Sequence, residues 1–93
     1  QGPVTDADDL KLGMTVYMVN RNFNKVESIK ITSLPYRSEF TGSLFINFSY
    51  YHNFGNSAGE SHLSLLDYNV IPNSYNNHKL FYNLQEALEY FNK

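Results

Sequence analysis

Three histidines, His52, His62 and His78, are the side chains most able to hold a metal or move a proton in this sequence. They stand ten and sixteen positions apart, without the close spacing that turns two imidazoles toward one zinc ion. Only His52 and His62, flanking one loop, could meet across a hairpin. Surface or loop positions are the expectation for all three, and no metal is expected. Ser61 or Ser64, His62 and Asp67 supply the side chains of a hydrolytic triad, but no Gly-x-Ser-x-Gly elbow accompanies them. Glu27, Glu39 and Glu60 form no acid/base pair. Asp6, Asp8 and Asp9 lack the Gly and the distal bidentate Glu of a calcium loop, and read as a solvated N-terminal arm. Gly55-Asn56-Ser57-Ala58-Gly59 lacks the Lys-Ser/Thr and the helix that follow a phosphate-cradling loop. It reads as a hairpin tip. Asn47-Phe48-Ser49 fits a glycosylation sequon but lies inside a predicted strand and is discounted. The chain reads as a non-enzyme without a cofactor.

What remains is an aromatic set. The sequence holds eight Tyr and seven Phe and no Trp. Tyr17, Phe45 and Tyr51, with Phe40 and Phe54, fall on strand parities or in loops that can face away from a core. Exposed aromatics anchor protein interfaces or stack on single-stranded bases. A curved barrel that buries both parities in different places is the competing reading. Base stacking ordinarily comes with a basic groove, whereas this chain has a net charge of −2 and no adjacent pair among its seven basic residues. A protein partner is therefore expected ahead of nucleic acid. The expected partner-binding residues are Tyr17, Phe45, Tyr51, His52 and Phe54, together with the loop His52–Glu60.

A chain of 93 residues makes one domain with a small core, which most of its large apolar residues must fill. With 42% hydrophobic residues it has enough to fold. The absence of cysteine excludes disulfides and thiolate sites and fits a reducing compartment. No apolar run is long enough to span a bilayer, and no secretory signal is present. Gln1-Gly2-Pro3 looks like the remnant of a picornaviral-protease cleavage site and is set apart, leaving residues 4–93 as the domain.

The elements that must position the aromatics are mostly strands. In Ser43–Tyr51, Leu44, Ile46, Phe48 and Tyr50 share one parity, the mark of a central strand with one face on a core. Met14–Asn20 is apolar on both parities and reads as a strand covered on both faces. The Asn-rich turn 20–24 joins it to a second strand, Lys25–Ser33, in which Val26 lies off the parity of Ile29 and Ile31 and suggests a bulge. Pro35 breaks the sheet. His52–Glu60 reads as a loop, Leu63–Ile71 as a further strand, with or without a kink, and Pro72–His78 as a surface loop. Leu80–Tyr82 reads as a short added strand just before the helix. Asn83 and Glu86 form a capping pair, and Leu84, Ala87, Leu88 and Phe91 make the stripe of a helix that must dock on the sheet. The expected fold is α+β, mainly β: a small antiparallel sheet or partly open barrel of about four to five strands closed by a C-terminal helix.

Two stretches carry a resemblance. Leu12-Gly13-Met14-Thr15-Val16-Tyr17 is similar to the opening strand of small barrels of the Src-homology or KOW kind. Leu80–Phe91, a short strand running into Gln85-Glu86-Ala87-Leu88-Glu89-Tyr90, resembles a recurrent ending in small tailed-phage proteins. Twelve Asn residues fit the AT-rich genome of a T-even-type phage. The resemblance implies a small phage accessory protein in the host cytoplasm that binds a host or phage protein to inhibit or redirect it. A nucleic-acid-binding small barrel is the first alternative. The second is a structural subunit that self-associates through a sheet edge, at Lys25–Ser33 or Leu63–Val70.

Overall fold

Period-two alternation builds one antiparallel sheet, and a single helix covers part of it. The computed structural model describes residues 2–51, 58–71 and 77–93. Its strands are β1 (Thr15–Asn20), β2 (Lys25–Ile31), β3 (Tyr36–Arg37), β4 (Leu44–Tyr51), β5 (Ala58–Ser64) and β6 (Lys79–Phe81), followed by helix α1 (Leu84–Phe91). All six strands belong to one sheet, which is open and not closed into a barrel. Its sixth member is the two-residue β3, which forms just past Pro35.

β4 is the hub. β5 runs along one of its edges from Phe45↔Ser64 to Tyr51↔Ala58. The other edge takes β2 at Lys30↔Ser49 and Ile31↔Phe48 and β3 at Tyr36↔Phe45 and Arg37↔Leu44. β2 and β3 thus act as one strand interrupted at Thr32–Pro35. Thr32 N–H donates to the Asn47 carbonyl at 2.9 Å, and the Ser33 hydroxyl accepts from Asn47 N–H at 2.9 Å, which satisfies β4 across the break. β1 then pairs β2 and β6.

Of the expected core parity of β4, Ile46 and Phe48 are buried and Leu44 and Tyr50 partly so. Ile46 and Phe48 of β4 join Val16, Met18, Ile29 and Ile31, and Leu10, Leu63 and Leu80, in the larger apolar cluster. Each such side chain stabilises the fold by about 1.5–3 kcal/mol relative to exposure. β1 is covered on both faces as its pattern indicates: Val16 and Met18 enter the larger cluster, Val19 a second one with Phe81 and Ala87. Val26 packs on that second cluster from β2. The β1–β2 register is unbroken from Thr15↔Lys30 to Asn20↔Lys25, so the expected bulge is absent. An apolar residue off parity here needs only a second covered face. The connecting turn uses Asn24 at φ 54°, a left-handed conformation that Asn tolerates.

Other expectations are corrected. Leu65–Val70 is a tight turn, closed by Val70 N–H to the Leu65 carbonyl at 3.0 Å, not a strand. It buries Leu65, Tyr68 and Val70 because their spacing suits a coiled segment folded onto the core. Of the expected loop His52–Glu60, Ala58–Glu60 belongs to β5, where Tyr50 lies over Gly59; a Cβ there would sit 2.5 Å from the Tyr50 ring. Residues 52–57, and Pro72–Asn76 of the second loop, lie outside the described residues. The N-terminal arm is tied down at Val4, whose N–H donates to the Leu80 carbonyl at 2.8 Å, and Pro3 bridges Phe81. Leu10 is buried, while Leu12 is exposed.

The helix forms where its cap indicates but docks on a different stripe. The Asn83 side chain accepts from Glu86 N–H at 2.9 Å and donates to the Glu86 carboxylate at 2.6 Å, a reciprocal cap. Ala87 is buried, with Tyr90 and Phe91 packed beside it. Leu84 and Leu88 remain 47% and 40% exposed. The reason is at the far end. Arg21 donates to the carbonyls of Phe91 and Tyr90, both at 2.7 Å, and lies 4.9 Å from the Tyr90 ring centre. A guanidinium that satisfies the last carbonyls fixes the rotation of so short a helix.

Candidate functional site

Of the aromatic side chains proposed from sequence, Tyr17, Phe45 and Tyr51 lie on strand parities opposite the larger cluster, yet they part into two environments. Tyr17 is half-buried against the cluster beneath α1. Phe45 and Tyr51, on β4, lie where, among the described residues, no helix covers the sheet. Tyr51 is 77% exposed. His52 and Phe54 lie outside the described residues.

Around Phe45 the sheet assembles a row that the sequence alone did not show. Cross-strand pairing sets Tyr36 of β3 beside Phe45, and the two rings stack with centres 6.3 Å apart. On the opposite side His62 of β5 meets Phe45 at 5.5 Å in a tilted arrangement. Such contacts each stabilise by about 0.5–1.5 kcal/mol beyond area burial, so the row is preorganised. The Tyr36 hydroxyl donates to the Asn47 side chain at 2.7 Å. The turn after β3 carries Phe40, 96% exposed. A shallow groove of about 520 Å³ runs from Phe40 past Arg37 to Phe45 and His62. The Arg37 guanidinium donates to the Gly42 carbonyl at 2.7 Å and holds the turn that presents Phe40. In the sequence Pro35 marks the neighbourhood of Tyr36 as a break, and only the pairing with β4 reveals its place.

A second concavity, of about 600 Å³, opens on the core side between the β1–β2 turn and β5. Its floor is a hydrogen-bonded network. Asn20 donates to the Tyr68 hydroxyl at 2.8 Å and accepts from Phe23 N–H at 3.0 Å. His78 packs on Tyr68 in a tilted arrangement with ring centres 5.3 Å apart. Its Nδ1 accepts from Arg21 N–H at 2.9 Å, so that nitrogen carries no proton. His78 lies in a loop, as expected, but is buried rather than at the surface, because its ring packs on Tyr68 and its Nδ1 takes the Arg21 N–H of the β1–β2 turn. Burial lowers its pKa, with Asp67 opposing, and burial raises that of Tyr68. These groups are engaged with one another, and the network reads as structural.

The other candidates stay apart. His62 faces Phe45, while alternation sends Ser61 to the other side of β5, and among the described residues no hydrogen bond joins His62 to Ser61, Ser64 or Asp67. Asp6 caps a short 3-10 turn, Ala7–Asp9, by accepting from Asp8 N–H at 2.9 Å. Among the described residues no three His, Asp or Glu side chains are placed to hold a metal ion, and no helix is long and apolar enough to cross a membrane.

Fold and face together define a small open-sheet protein with one docked helix and an uncovered aromatic row. The chain belongs to the Phage g100-like protein family, whose model matches residues 4–93. No curated protein and no solved structure matches it. The phage part of the resemblance is thereby established, whereas the sheet does not take the closed form of a Src-homology or KOW barrel.

Proposed function

We propose that this phage protein is a non-enzymatic accessory module that binds a protein partner in the host cell and inhibits or redirects it. The observation that carries the reading is the row Tyr36–Phe45–His62 with Phe40 beside it, and Tyr51 exposed on the same face at the far end of β4. Large apolar side chains left in water on one face cost free energy unless something covers them, and clustered aromatics are what protein interfaces use as anchors. The charge balance supports a protein over a nucleic acid: Arg21 and Arg37 are committed to main-chain carbonyls, and Lys25 is paired with Glu27 at 3.6 Å. The Asn-rich composition supports a T-even-type source.

The test is capture from lysate of the phage's host, with and without nuclease, using the wild type and the Phe40→Ala/Tyr51→Ala double variant. A stoichiometric protein retained after nuclease by the wild type, and lost by the variant at unchanged thermal stability, is expected. Capture that vanishes with nuclease would instead support nucleic-acid binding. Equal capture by wild type and variant would remove this face from the interface.

A further inference from the structure

The two outer edges of the sheet are treated differently. At β6 the N-terminal arm closes the edge: Val4 N–H reaches the Leu80 carbonyl and Pro3 bridges Phe81. At the other end, among the described residues, β5 pairs only β4 and packs against no other strand or helix. Natural edges are commonly blunted by Lys, Pro, a bulge, shortness or a covering segment. Over its seven residues, Ala-Gly-Glu-Ser-His-Leu-Ser, β5 has neither Lys nor Pro, and its register with β4 is regular throughout.

The direction of its backbone groups follows from the ladder. Leu65 N–H donates to the Leu44 carbonyl at 3.0 Å, while Asn47 sends its carbonyl to Thr32 on the opposite edge. In an antiparallel ladder hydrogen-bonded and non-hydrogen-bonded pairs alternate. Ser61 and Leu63 therefore bond to β4, and Glu60 and His62 turn their N–H and C=O groups outward, as does Ser64, whose carbonyl also accepts from Tyr68 N–H at 3.3 Å and has one further lone pair to offer.

We propose that β5 is a self-association edge, pairing antiparallel with β5 of a second copy about a two-fold axis at His62. In that register His62 stands opposite His62 of the second copy, and Glu60 opposite Ser64. The outward groups of each strand meet in phase, Glu60 faces an uncharged residue, and no fixed like charges oppose one another. Ser61 and Ser64 are small enough to leave the approach open. The pairing joins two sheets and brings two Phe45–His62 contacts together across the axis. It stands on the edge geometry and does not depend on the binding role of the aromatic row.

The experiment is sedimentation equilibrium over about 1–300 μM, a span that brackets the micromolar range of modest interfaces. The wild type is expected to approach twice the 10.8 kDa chain mass. His62→Asp and His62→Lys each place like charges at the axis, and each alone is expected to weaken association at least tenfold. Mixed in equal amounts they should regain the dimer, because opposite charges then face each other. His62→Pro should also be folded and monomeric, since it removes an outward N–H that β4 does not use. A wild type that stays at the chain mass throughout, single charge variants that dimerise like the wild type, or a mixture that shows no recovery would overturn the proposal.

Discussion

The outer face of the sheet has two halves, built alike and finished differently. At the β6–β1–β2 end, Tyr17, Val19, Val26 and Phe81 meet Ala87, Tyr90 and Phe91 of the helix. At the β3–β4–β5 end, Tyr36, Phe45, His62 and Tyr51 lie on the same outer face, and among the described residues no helix lies above them. Both halves place aromatic residues on the outer parity, interleaved with Val19 and Val26 in the first and with Asn47 and Ser49 in the second. Whether such a face is core or candidate interface is decided by where one short helix lands. That is set by its capping pair and by Arg21, more than sixty positions away in sequence.

The covered half should respond to truncation as a core. Phe81 is 4% exposed and lies between β1 and α1. Phe81→Ala is expected to cost about 3–5 kcal/mol, the range for a large aromatic removed from a packed site, measured by urea denaturation. A loss below about 1 kcal/mol would mean that α1 is not held by this cluster.

Tyr17 and Tyr51 sharpen the contrast, because the sequence offered them as equals. Tyr17→Ala is expected to destabilise by about 1–3 kcal/mol through lost packing under the helix. Tyr51→Ala should stay within about 0.5 kcal/mol of wild type, as surface changes do. Equal losses, read from paired thermal and urea melts, would show that the two halves are not distinct.

This pair also shows how far the sequence could be read. The parity of β4, the double-faced pattern of β1, the Asn-rich turn and the Asn83 cap all depend on neighbours in sequence, and each was legible. The depth of Tyr17, the rotation that leaves Leu84 and Leu88 in water, the burial of His78 and the row Tyr36–Phe45–His62 depend on distant partners. Pro35 signals a break, but nothing local indicates that the chain rejoins β4 at the very next residue, Tyr36. Leu65–Val70 misleads for a related reason: a buried turn and a kinked strand carry the same dense apolar composition, and only the return bond from Val70 to Leu65 separates them.

A smaller effect is expected at the helix start. Asn83→Ala removes the side-chain acceptor for Glu86 N–H, and should cost about 1 kcal/mol. Asn83→Ser should recover most of it, because a hydroxyl can serve as the same acceptor. Failure of serine to recover any stability would mean that the reciprocal bond to the Glu86 carboxylate matters more than the cap itself.

The smallest effect is graded with pH, and it tests the link between the halves. His78 accepts the Arg21 N–H through an unprotonated nitrogen, and burial holds its pKa below the ordinary 6.5. The folded chain therefore keeps this imidazole neutral where the unfolded chain already takes up a proton. Its contribution to stability is complete above about 6.5 and declines as pH falls from there toward the lowered folded value. Protonation turns Nδ1 from an acceptor into a donor that faces the Arg21 N–H, and Arg21 is the residue that secures the end of α1. Amide exchange in α1 should therefore quicken on acidification through that window before exchange in β4 and β5 does. His78→Gln, which cannot take up a proton, should abolish the difference. A uniform acceleration across the sheet, or one that persists in His78→Gln, would show that the two halves of the outer face are not joined through Arg21.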